Sequence, residues 1–271
     1  MIIHTSQVKL NVEYFPSLEK NAPFVFLLHG FTGSSAEWID IISDLNNKFS
    51  YVAIDFIGHN TSSPPKDQEL YTANSLIQQL DEVFNHFTKN RFFIVGYSMG
   101  GRAALSYTVH HPKKLYGLVL ESASAGIVDE KLRKERIEND SKLIKMIEEK
   151  SIDEFVEYWM NQALFDSLKT LSKKKLAKIQ NSKFKLQKVG LINSLKGFGT
   201  GVMPPLHDKL HLIDCKTLLI TGELDKKFTQ LNSELVNSFP SAKHVVVSNA
   251  GHNVHLEKPE EFVRAVNEFL E

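Results

Sequence analysis

Ser98 stands at the centre of the pentapeptide G-Y-S-M-G (96–100), which directly follows an apolar run and precedes a helical pattern. Glycines on both sides of a serine let the chain turn sharply from a strand into a helix, so that the hydroxyl is exposed at the helix N-terminus. A serine hydroxyl reacts well only when a base removes its proton, and a carboxylate usually orients that base. The pentapeptide therefore predicts a nucleophile elbow and requires an acid and a base elsewhere in the chain.

Two later residues, Asp225 and His252, can supply this acid and this base. Each follows an apolar run that is typical of a buried strand, and the chain order is serine, acid, histidine. The rivals are Glu223, just before the acid, and His255, just after the histidine. We favour Asp225 for its place in the turn, and His252 because it directly follows Gly251 at the end of a strand.

The segment L-L-H-G-F-T-G (27–33), which we call the oxyanion loop, directly follows the first strongly apolar run. Backbone amides in such a loop can stabilise a carbonyl oxygen that gains negative charge. We expect the amides of Phe31 and Met99 to point at one spot beside the serine. His29 is interpreted as a structural residue of this loop. The acidic and histidine side chains of D-F-I-G-H-N (55–60) are interpreted in the same way.

The elements that must position these residues alternate along the chain. Short apolar runs bounded by turns recur at 24–28, 51–56, 92–96, 117–121, 217–221 and 244–248. Helical patterns lie between most of them, such as the stripe 76–87 with its spacing of three and four residues. This alternation predicts a parallel sheet covered by helices on both faces. The opening stretch, 1–15, alternates like an antiparallel hairpin at the edge of the sheet.

The strand pattern disappears between about 125 and 200, where several amphipathic helical patterns follow one another. Ser151 and Glu154 form a capping-box pattern at the start of one of these helices. We therefore predict a core made of 1–124 and 201–271 and a helical insertion at 125–200, which we call the lid.

The composition is that of an ordinary single-domain globular protein. The chain has 271 residues, of which 42% are apolar and 24% are charged, enough to bury a full core. Its 32 basic residues balance 32 acidic residues, so no overall field attracts nucleic acid or an anionic membrane. No signal-peptide pattern opens the chain, and no apolar run approaches the roughly 18 residues of a membrane span. We predict a cytoplasmic monomer or weak homo-oligomer without nucleic-acid or membrane partners.

The positive charge of the chain is concentrated in the lid. Residues 126–200 contain 16 basic and 11 acidic residues, and 167–200 contain nine lysines and no acid. One interpretation is a basic face in contact with solvent. The other is a local field that attracts an anionic substrate.

Two arginines are candidates for binding such an anion. Arg102 lies four residues after Ser98, so on a helix that starts at the elbow it falls on the serine's side. Arg133, Arg136 and Asp140 share one face of a predicted helix from about 128 to 149. A guanidinium near the site would bind a carboxylate, but an internal pair between Arg136 and Asp140 on a solvated face is the competing interpretation.

Several motifs together resemble one family of enzymes. They are G-Y-S-M-G-G-R, E-S-A-S-A-G-I followed by R-K-E-R-I-E-N-D, F-V-E-Y-W and A-G-H-N-V-H. The family is 2-succinyl-6-hydroxy-2,4-cyclohexadiene-1-carboxylate synthase of menaquinone biosynthesis, MenH, in the α/β-hydrolase superfamily. The resemblance covers about 24–160 and the region from 217 onward. It implies an α/β fold with a mostly parallel eight-stranded sheet, helices on both faces and a helical lid.

The resemblance also implies a lyase with defined roles for individual residues. Members of the family eliminate pyruvate from 2-succinyl-5-enolpyruvyl-6-hydroxy-3-cyclohexene-1-carboxylate, a small polycarboxylate. By position, Ser98 activated by His252 would be the base, and the amides of the oxyanion loop and of Met99 would hold the enolate oxygen. The implied substrate-binding residues are Tyr97, Arg102, Arg136 and Trp159. No metal-ligand cluster or cofactor motif occurs in the sequence, so neither a metal nor a cofactor is expected.

Part of the lid departs from the family pattern. Gln180, among Lys178, Lys183 and Lys185, stands where relatives often carry a further arginine, so a third anion contact is unassigned. In the loop 55–60, isoleucine and asparagine stand where relatives usually show proline and glycine.

Other functions are compatible with the same triad. A carboxylesterase is the main alternative, and a carbon–carbon hydrolase or a ligand receptor that retains the hydrolase fold are others. The basic lid argues against an apolar ester as the substrate.

Overall fold

Eight strands form one sheet in the computed structural model, which describes residues 1–183 and 185–271. They are β1 (Ile2–His4), β2 (Lys9–Phe15), β3 (Phe24–Leu28), β4 (Ser50–Ile54), β5 (Phe92–Tyr97), β6 (Leu115–Glu121), β7 (Lys216–Gly222) and β8 (Ala242–Val247). Their spatial order is β1-β2-β4-β3-β5-β6-β7-β8. Strands β3 to β8 are parallel, whereas β1 pairs with β2 and β2 with β4 in antiparallel fashion. The predicted mostly parallel sheet with an antiparallel edge is confirmed.

The helices connect the strands, and four of them lie between β6 and β7. They are α1 (Ile39–Ile42), α2 (Ala73–Phe87), α3 (Met99–His110), α4 (Glu130–Glu149), α5 (Ile152–Met160), α6 (Lys173–Lys183), α7 (Lys188–Phe198), α8 (Lys226–Leu235), α9 (Val254–Glu257) and α10 (Pro259–Leu270). Short 3-10 helices lie at Ser35–Glu37, Gln68–Tyr71, Ala163–Thr170, His207–Leu212 and Val236–Ser238. Among the described helices, none has both the length and the apolar character needed to cross a bilayer.

The two faces of the sheet bury alternate residues of each strand. In β3, Phe26 and Leu28 join a cluster that includes residues of α2 and α3. Val25 and Leu27 join a second cluster with residues of α1 and α10 on the other face. This period of two follows from the pleat of a strand, and full burial of each such side chain stabilises the fold by about 1.5 to 3 kcal/mol. The prediction of helices on both faces is confirmed.

Helices α4 to α7 and the 3-10 helix Ala163–Thr170 lie in the lid and share an apolar cluster, which also includes Leu256 of α9. Ile147, Phe155 and Leu191, one from each of three helices, are completely buried in this cluster. The predicted capping box at the start of α5 is present, with Ser151 and Glu154 each accepting from the other's backbone amide. The limits of core and lid that the sequence suggests remain a prediction.

Candidate active site

The nucleophile elbow lies between β5 and α3. Ser98 has backbone angles φ 51° and ψ −106°, a conformation that non-glycine residues rarely adopt. The turn is possible because its neighbours lack side chains. A Cβ atom on Gly96 would lie 2.5 Å from the Gly100 carbonyl oxygen, and one on Gly100 would lie 2.1 Å from that of Leu28. The two glycines therefore allow the backbone to approach closely, and the serine follows directly from the end of a buried strand.

Ser98, His252 and Asp225 form one hydrogen-bonded chain. The Nδ1 atom of His252 lies 2.6 Å from Oδ2 of Asp225, and its Nε2 atom lies 3.2 Å from Oγ of Ser98. Because a carboxylate only accepts, Nδ1 donates to Asp225, and Nε2 is then the acceptor for the serine hydroxyl. Asp225 also accepts from the Phe228 amide at the start of α8. Three loops that follow β5, β7 and β8 thus bring the predicted residues together.

Both rival residues have other partners. The carboxylate of Glu223 accepts from the Asn249 amide. His255 is completely buried, with its Nδ1 atom 2.7 Å from Glu121 and its ring stacked on Trp38. Neither residue therefore replaces its neighbour in the hydrogen-bonded chain.

Glu257 fixes the loop that carries the histidine. Its carboxylate accepts from the amide of Gly251 at 2.7 Å and from that of Asn253 at 3.2 Å, the two residues on either side of His252. Burial raises the pKa of Glu257, whereas these hydrogen bonds oppose that shift. Glu257 is not among the residues that the sequence predicts for the site. The only signal for it was a glutamate in the otherwise buried segment after the histidine.

The oxyanion loop follows β3 and is tied down by His29. The Nδ1 atom of His29 donates to the Gly30 carbonyl at 2.7 Å, and its Nε2 atom accepts from the Phe56 amide at 3.0 Å. Since both ring nitrogens are used in this way, the structural role predicted for His29 is confirmed. The amides of Phe31 and Met99 donate to no group in the part of the chain that the structure describes. Both residues line the cavity beside Ser98.

The loop 55–60 is also held by its own polar groups. Asp55 accepts from the Ser35 amide and from the side chain of Asn60, which adopts φ 46°. Asparagine tolerates this left-handed conformation, so the loop does not require glycine at position 60. His59 is completely buried and its Nδ1 atom contacts the Ile57 carbonyl, while within 1–183 and 185–271 its Nε2 atom has no partner. Burial lowers the pKa of His59 to about 3.

A cavity of about 1060 Å³ opens between the core and the lid. All nine residues predicted for catalysis, oxyanion stabilisation and substrate binding line it. Tyr97 is buried and packs against the ring of His252, and Trp159 packs edge-on against Phe31. The indole Nε1 atom of Trp159 has no partner among the described residues. Position 184 aside, no group of three or more His, Cys, Asp or Glu side chains could hold a metal ion.

Arg102 is held by the lid rather than by a carboxylate. Its Nη1 group donates to the Phe198 carbonyl at 2.7 Å, and the guanidinium lies 5.0 Å from the ring of the same residue. Burial, together with the nearby Arg136, lowers the pKa of Arg102 to about 9. The group remains protonated at neutral pH, so it contributes a buried positive charge to the cavity wall.

Arg136 both pairs with Asp140 and lines the cavity, the two alternatives that the sequence left open. Its Nε atom lies 2.8 Å from Oδ1 of Asp140, whose side chain is 8% exposed against 39% for the arginine. Arg136 also lines the cavity, as Asp140 does. Burial raises the pKa of Asp140, and Arg136 opposes that shift. Arg133 instead donates to the carbonyls of Gly201 and Val202.

Most lysines of the lid face solvent. Six of the nine lysines between 167 and 200 are exposed, which favours the interpretation of a solvated basic face. None of the described residues from 178 to 185 lines the cavity. The lysines that do line it are Lys142 on α4 and Lys226 and Lys227 at the start of α8. These three residues are not among those that the sequence predicts for the site.

Comparisons with known proteins agree with this geometry. A family model described as alpha/beta hydrolase fold matches residues 23–259. A putative 2-succinyl-6-hydroxy-2,4-cyclohexadiene-1-carboxylate synthase of Bacillus subtilis (strain 168) is 37% identical over 246 residues, covering 91% of this chain and 89% of the relative. The synthase of that name from Enterobacter sp. (strain 638) is 29% identical over 237 residues, covering 88% and 87%.

A solved structure gives the same result. MenH from S. aureus matches with a TM-score of 0.92 and 28% identity, over 96% of this chain and 97% of the other. The sequence resemblance, the predicted fold and the family model thus converge. The chain belongs to the 2-succinyl-6-hydroxy-2,4-cyclohexadiene-1-carboxylate synthase family, within the alpha/beta hydrolase fold.

Proposed function

We propose that this chain eliminates pyruvate from 2-succinyl-5-enolpyruvyl-6-hydroxy-3-cyclohexene-1-carboxylate and releases 2-succinyl-6-hydroxy-2,4-cyclohexadiene-1-carboxylate. The enzyme is a carbon–oxygen lyase of menaquinone biosynthesis built on a hydrolase fold. The observation that carries this proposal is that Arg102 and Arg136 line the same cavity as the triad. A neutral ester has no anionic group to pair with two guanidinium groups, whereas a substrate with three carboxylates can pair with both.

In this proposal Ser98 is the base that removes the ring proton beside the succinyl ketone. Its own proton passes to Nε2 of His252, which lies 3.2 Å away. The resulting imidazolium is stabilised by Asp225 through the 2.6 Å contact to Nδ1. The serine oxygen can then take up the ring proton.

Removal of that proton places negative charge on the oxygen of the succinyl ketone. The amides of Phe31 and Met99 would bind this enolate oxygen in the transition state. Donors of this kind lower the barrier because they are already oriented where the charge develops. Both amides lack another acceptor in the described structure, which is consistent with such a role.

Collapse of the enolate completes the reaction. The electron pair re-forms the ketone, the ring double bond shifts, and the carbon–oxygen bond to the enolpyruvyl group breaks. The leaving group departs as the enolate of pyruvate and takes up the proton that His252 holds on Nε2, which gives pyruvate and restores the neutral imidazole. The ring, which had one double bond, now contains two conjugated double bonds. Because no electron is gained or lost overall, the elimination needs no oxidant or reductant.

The substrate would be oriented by its carboxylates and by aromatic contacts. Arg102 and Arg136 each offer several N–H donors that match a carboxylate. Tyr97 and Trp159 supply the apolar walls of the cavity near the triad. The indole N–H of Trp159 would gain a partner if it donated to the substrate.

The test is incubation of the purified protein with the pathway substrate. Pyruvate release, measured with lactate dehydrogenase, and absorbance of the conjugated diene should rise together in equal amounts. A chromogenic ester such as p-nitrophenyl acetate is tested beside it, because the triad is also compatible with acyl transfer. Rapid ester hydrolysis without pyruvate release would replace the lyase by the carboxylesterase. The cytoplasmic location and the monomeric or weakly oligomeric state stay predictions.

A further inference from the structure

A lysine of the lid reaches the oxyanion loop. Lys183, the last residue of α6, has a side chain that is only 8% exposed. Its Nζ atom lies 3.2 Å from the Thr32 carbonyl oxygen and 3.2 Å from the Thr32 hydroxyl. A buried ammonium group is costly unless it is paired and hydrogen-bonded. The two contacts with Thr32 therefore offset part of the cost of burying Lys183.

Glu37 provides the charge partner of this lysine. One carboxylate oxygen of Glu37 lies 3.5 Å from Nζ of Lys183, and the glutamate side chain is also only 8% exposed. Its second oxygen, Oε2, has no partner within the described residues. The lysine thus connects the lid to two sites of the core that are five residues apart in sequence.

Thr32 adopts an unfavourable backbone conformation. Its φ of 64° lies in the left-handed region, where a β-branched residue is rare. Such a conformation persists only when the surrounding contacts enforce it. Lys183 binds both polar oxygens of Thr32, whose neighbour Phe31 carries the amide assigned to the enolate oxygen.

We propose that Lys183 is a positioning residue for the oxyanion hole, an inference that rests on the proposed function of the Phe31 amide. By holding Thr32 in its left-handed conformation, Lys183 stabilises the turn that the Gly33 amide closes on the Gly30 carbonyl at 3.0 Å, and the Gly30–Phe31 peptide with its N–H group lies within this turn. The lid thereby contributes to transition-state stabilisation without contacting the substrate at this point. The contact spans 151 residues of sequence, from α6 to the loop after β3.

The same helix offers a matched control. Lys178 lies on α6 and pairs with Asp40 in α1, with side chains that are 63% and 53% exposed. This pair also connects the lid to the core, but it does not contact the oxyanion loop. Loss of such an exposed pair has little effect on stability. Lys178→Met therefore removes a lysine tether of α6 while leaving the contacts of Thr32 intact.

The first measurement is the steady-state kinetics of pyruvate release by Lys183→Met and Lys178→Met. We expect Lys183→Met to lower kcat by about tenfold or more, because a displaced donor loses much of its effect. KM should stay within about twofold, since the carboxylate-binding arginines are untouched. Lys178→Met should keep both constants within about twofold. An unchanged kcat in Lys183→Met would overturn the proposal.

A second measurement does not depend on the lyase reaction. Phenylmethylsulfonyl fluoride reacts with an activated serine when Oγ displaces fluoride and a sulfonyl oxygen occupies the oxyanion hole. Mass spectrometry should show slower labelling of Ser98 in Lys183→Met than in the wild type, and unchanged labelling in Lys178→Met. If the wild type released no pyruvate, the proposed function would fail, whereas this labelling would still decide the role of Lys183. Equal labelling rates in all three proteins would count against that role.

Stability is separated from positioning by a double variant. Lys183→Met leaves the buried carboxylate of Glu37 without its partner, so its melting temperature should fall. Adding Glu37→Gln removes that charge and should restore much of the melting temperature. The proposal expects kcat and the labelling rate to stay low in the double variant. Their recovery together with the melting temperature would show that the lysine is only structural.

Discussion

The Nδ1 atom of His252 lies 2.6 Å from the Oδ2 atom of Asp225, and both side chains are buried. This contact fixes which ring nitrogen carries the proton, and it leaves the opposite nitrogen facing Ser98. This hydrogen bond connects the loops that follow β7 and β8, two strands that are neighbours in the sheet. The fold therefore sets the geometry on which the proposed proton transfer depends.

Replacing this carboxylate tests its role. Asp225→Asn keeps an oxygen that can accept from the Phe228 amide, but it removes the charge that stabilises the imidazolium and favours the wrong tautomer. We expect kcat to fall by at least about 100-fold with little change in melting temperature. Glu223→Gln is the control, and it should change kcat by less than about twofold. Reversed effects of the two variants would place the acid on Glu223.

The sequence was sufficient for those features that local rules govern. The elbow follows from two glycines around Ser98, and the choice of Asp225 over Glu223 followed from its place in the turn. Both are decided by backbone geometry within a few residues. The alternation of strands and helices likewise fixed the sheet and its two covered faces.

Hydrogen bonds between a side chain and a backbone group could not be predicted from the sequence. Glu257 accepts hydrogen bonds from two backbone amides, and no periodic pattern in the sequence predicts these bonds. Arg133 donates to carbonyl oxygens far along the chain. Lys183 likewise donates to the carbonyl of the distant Thr32. Any backbone carbonyl can accept such a bond, so residue types alone do not identify the pair.

The arginines test the substrate class. If Arg136 binds a substrate carboxylate, Arg136→Ala costs about 2 to 5 kcal/mol, whereas a surface pair would cost about 0 to 1 kcal/mol. We expect kcat/KM for the tricarboxylate to fall by more than about tenfold, and by a similar amount in Arg102→Ala. Arg136→Lys and Arg102→Lys should recover little of the lost kcat/KM, because a point charge does not reproduce a bidentate contact.

Two controls separate binding from stability in this series. Arg136→Ala also leaves the buried Asp140 unpaired, so the double variant with Asp140→Asn removes that charge. Arg133→Ala, on the same helix but bonded to carbonyls, should lower the melting temperature and leave kcat/KM unchanged. Hydrolysis of a neutral ester, if present, should be nearly unaffected in Arg136→Ala. Equal losses for the ester and the tricarboxylate would favour the carboxylesterase.

His59 predicts how stability depends on pH. Burial lowers its pKa from 6.5 to about 3, so the folded protein keeps the imidazole neutral while the unfolded chain binds a proton below pH 6.5. The contribution of neutral His59 to the free energy of unfolding is therefore fully present above pH 6.5 and is lost as the pH falls. Linkage gives a loss of about 2 kcal/mol between pH 6.5 and 5 from this residue.

Urea unfolding at pH 7 and pH 5 measures this dependence. The free energy of unfolding should fall less between the two values in His59→Gln than in the wild type. His86→Gln, at an exposed position on α2, is the control and should behave like the wild type. A pH dependence identical in His59→Gln and the wild type would show that His59 titrates normally in the fold.

The central claim is that Ser98 acts as the base in the elimination of pyruvate. The most direct measurement is pyruvate release and diene absorbance for Ser98→Ala beside the wild type, with substrate binding followed by calorimetry. We expect the variant to fold and to bind the tricarboxylate but to lose at least about 1000-fold in kcat. Adding His252→Ala should cost little more, because the two groups act as a unit. Turnover by Ser98→Ala close to that of the wild type would contradict it.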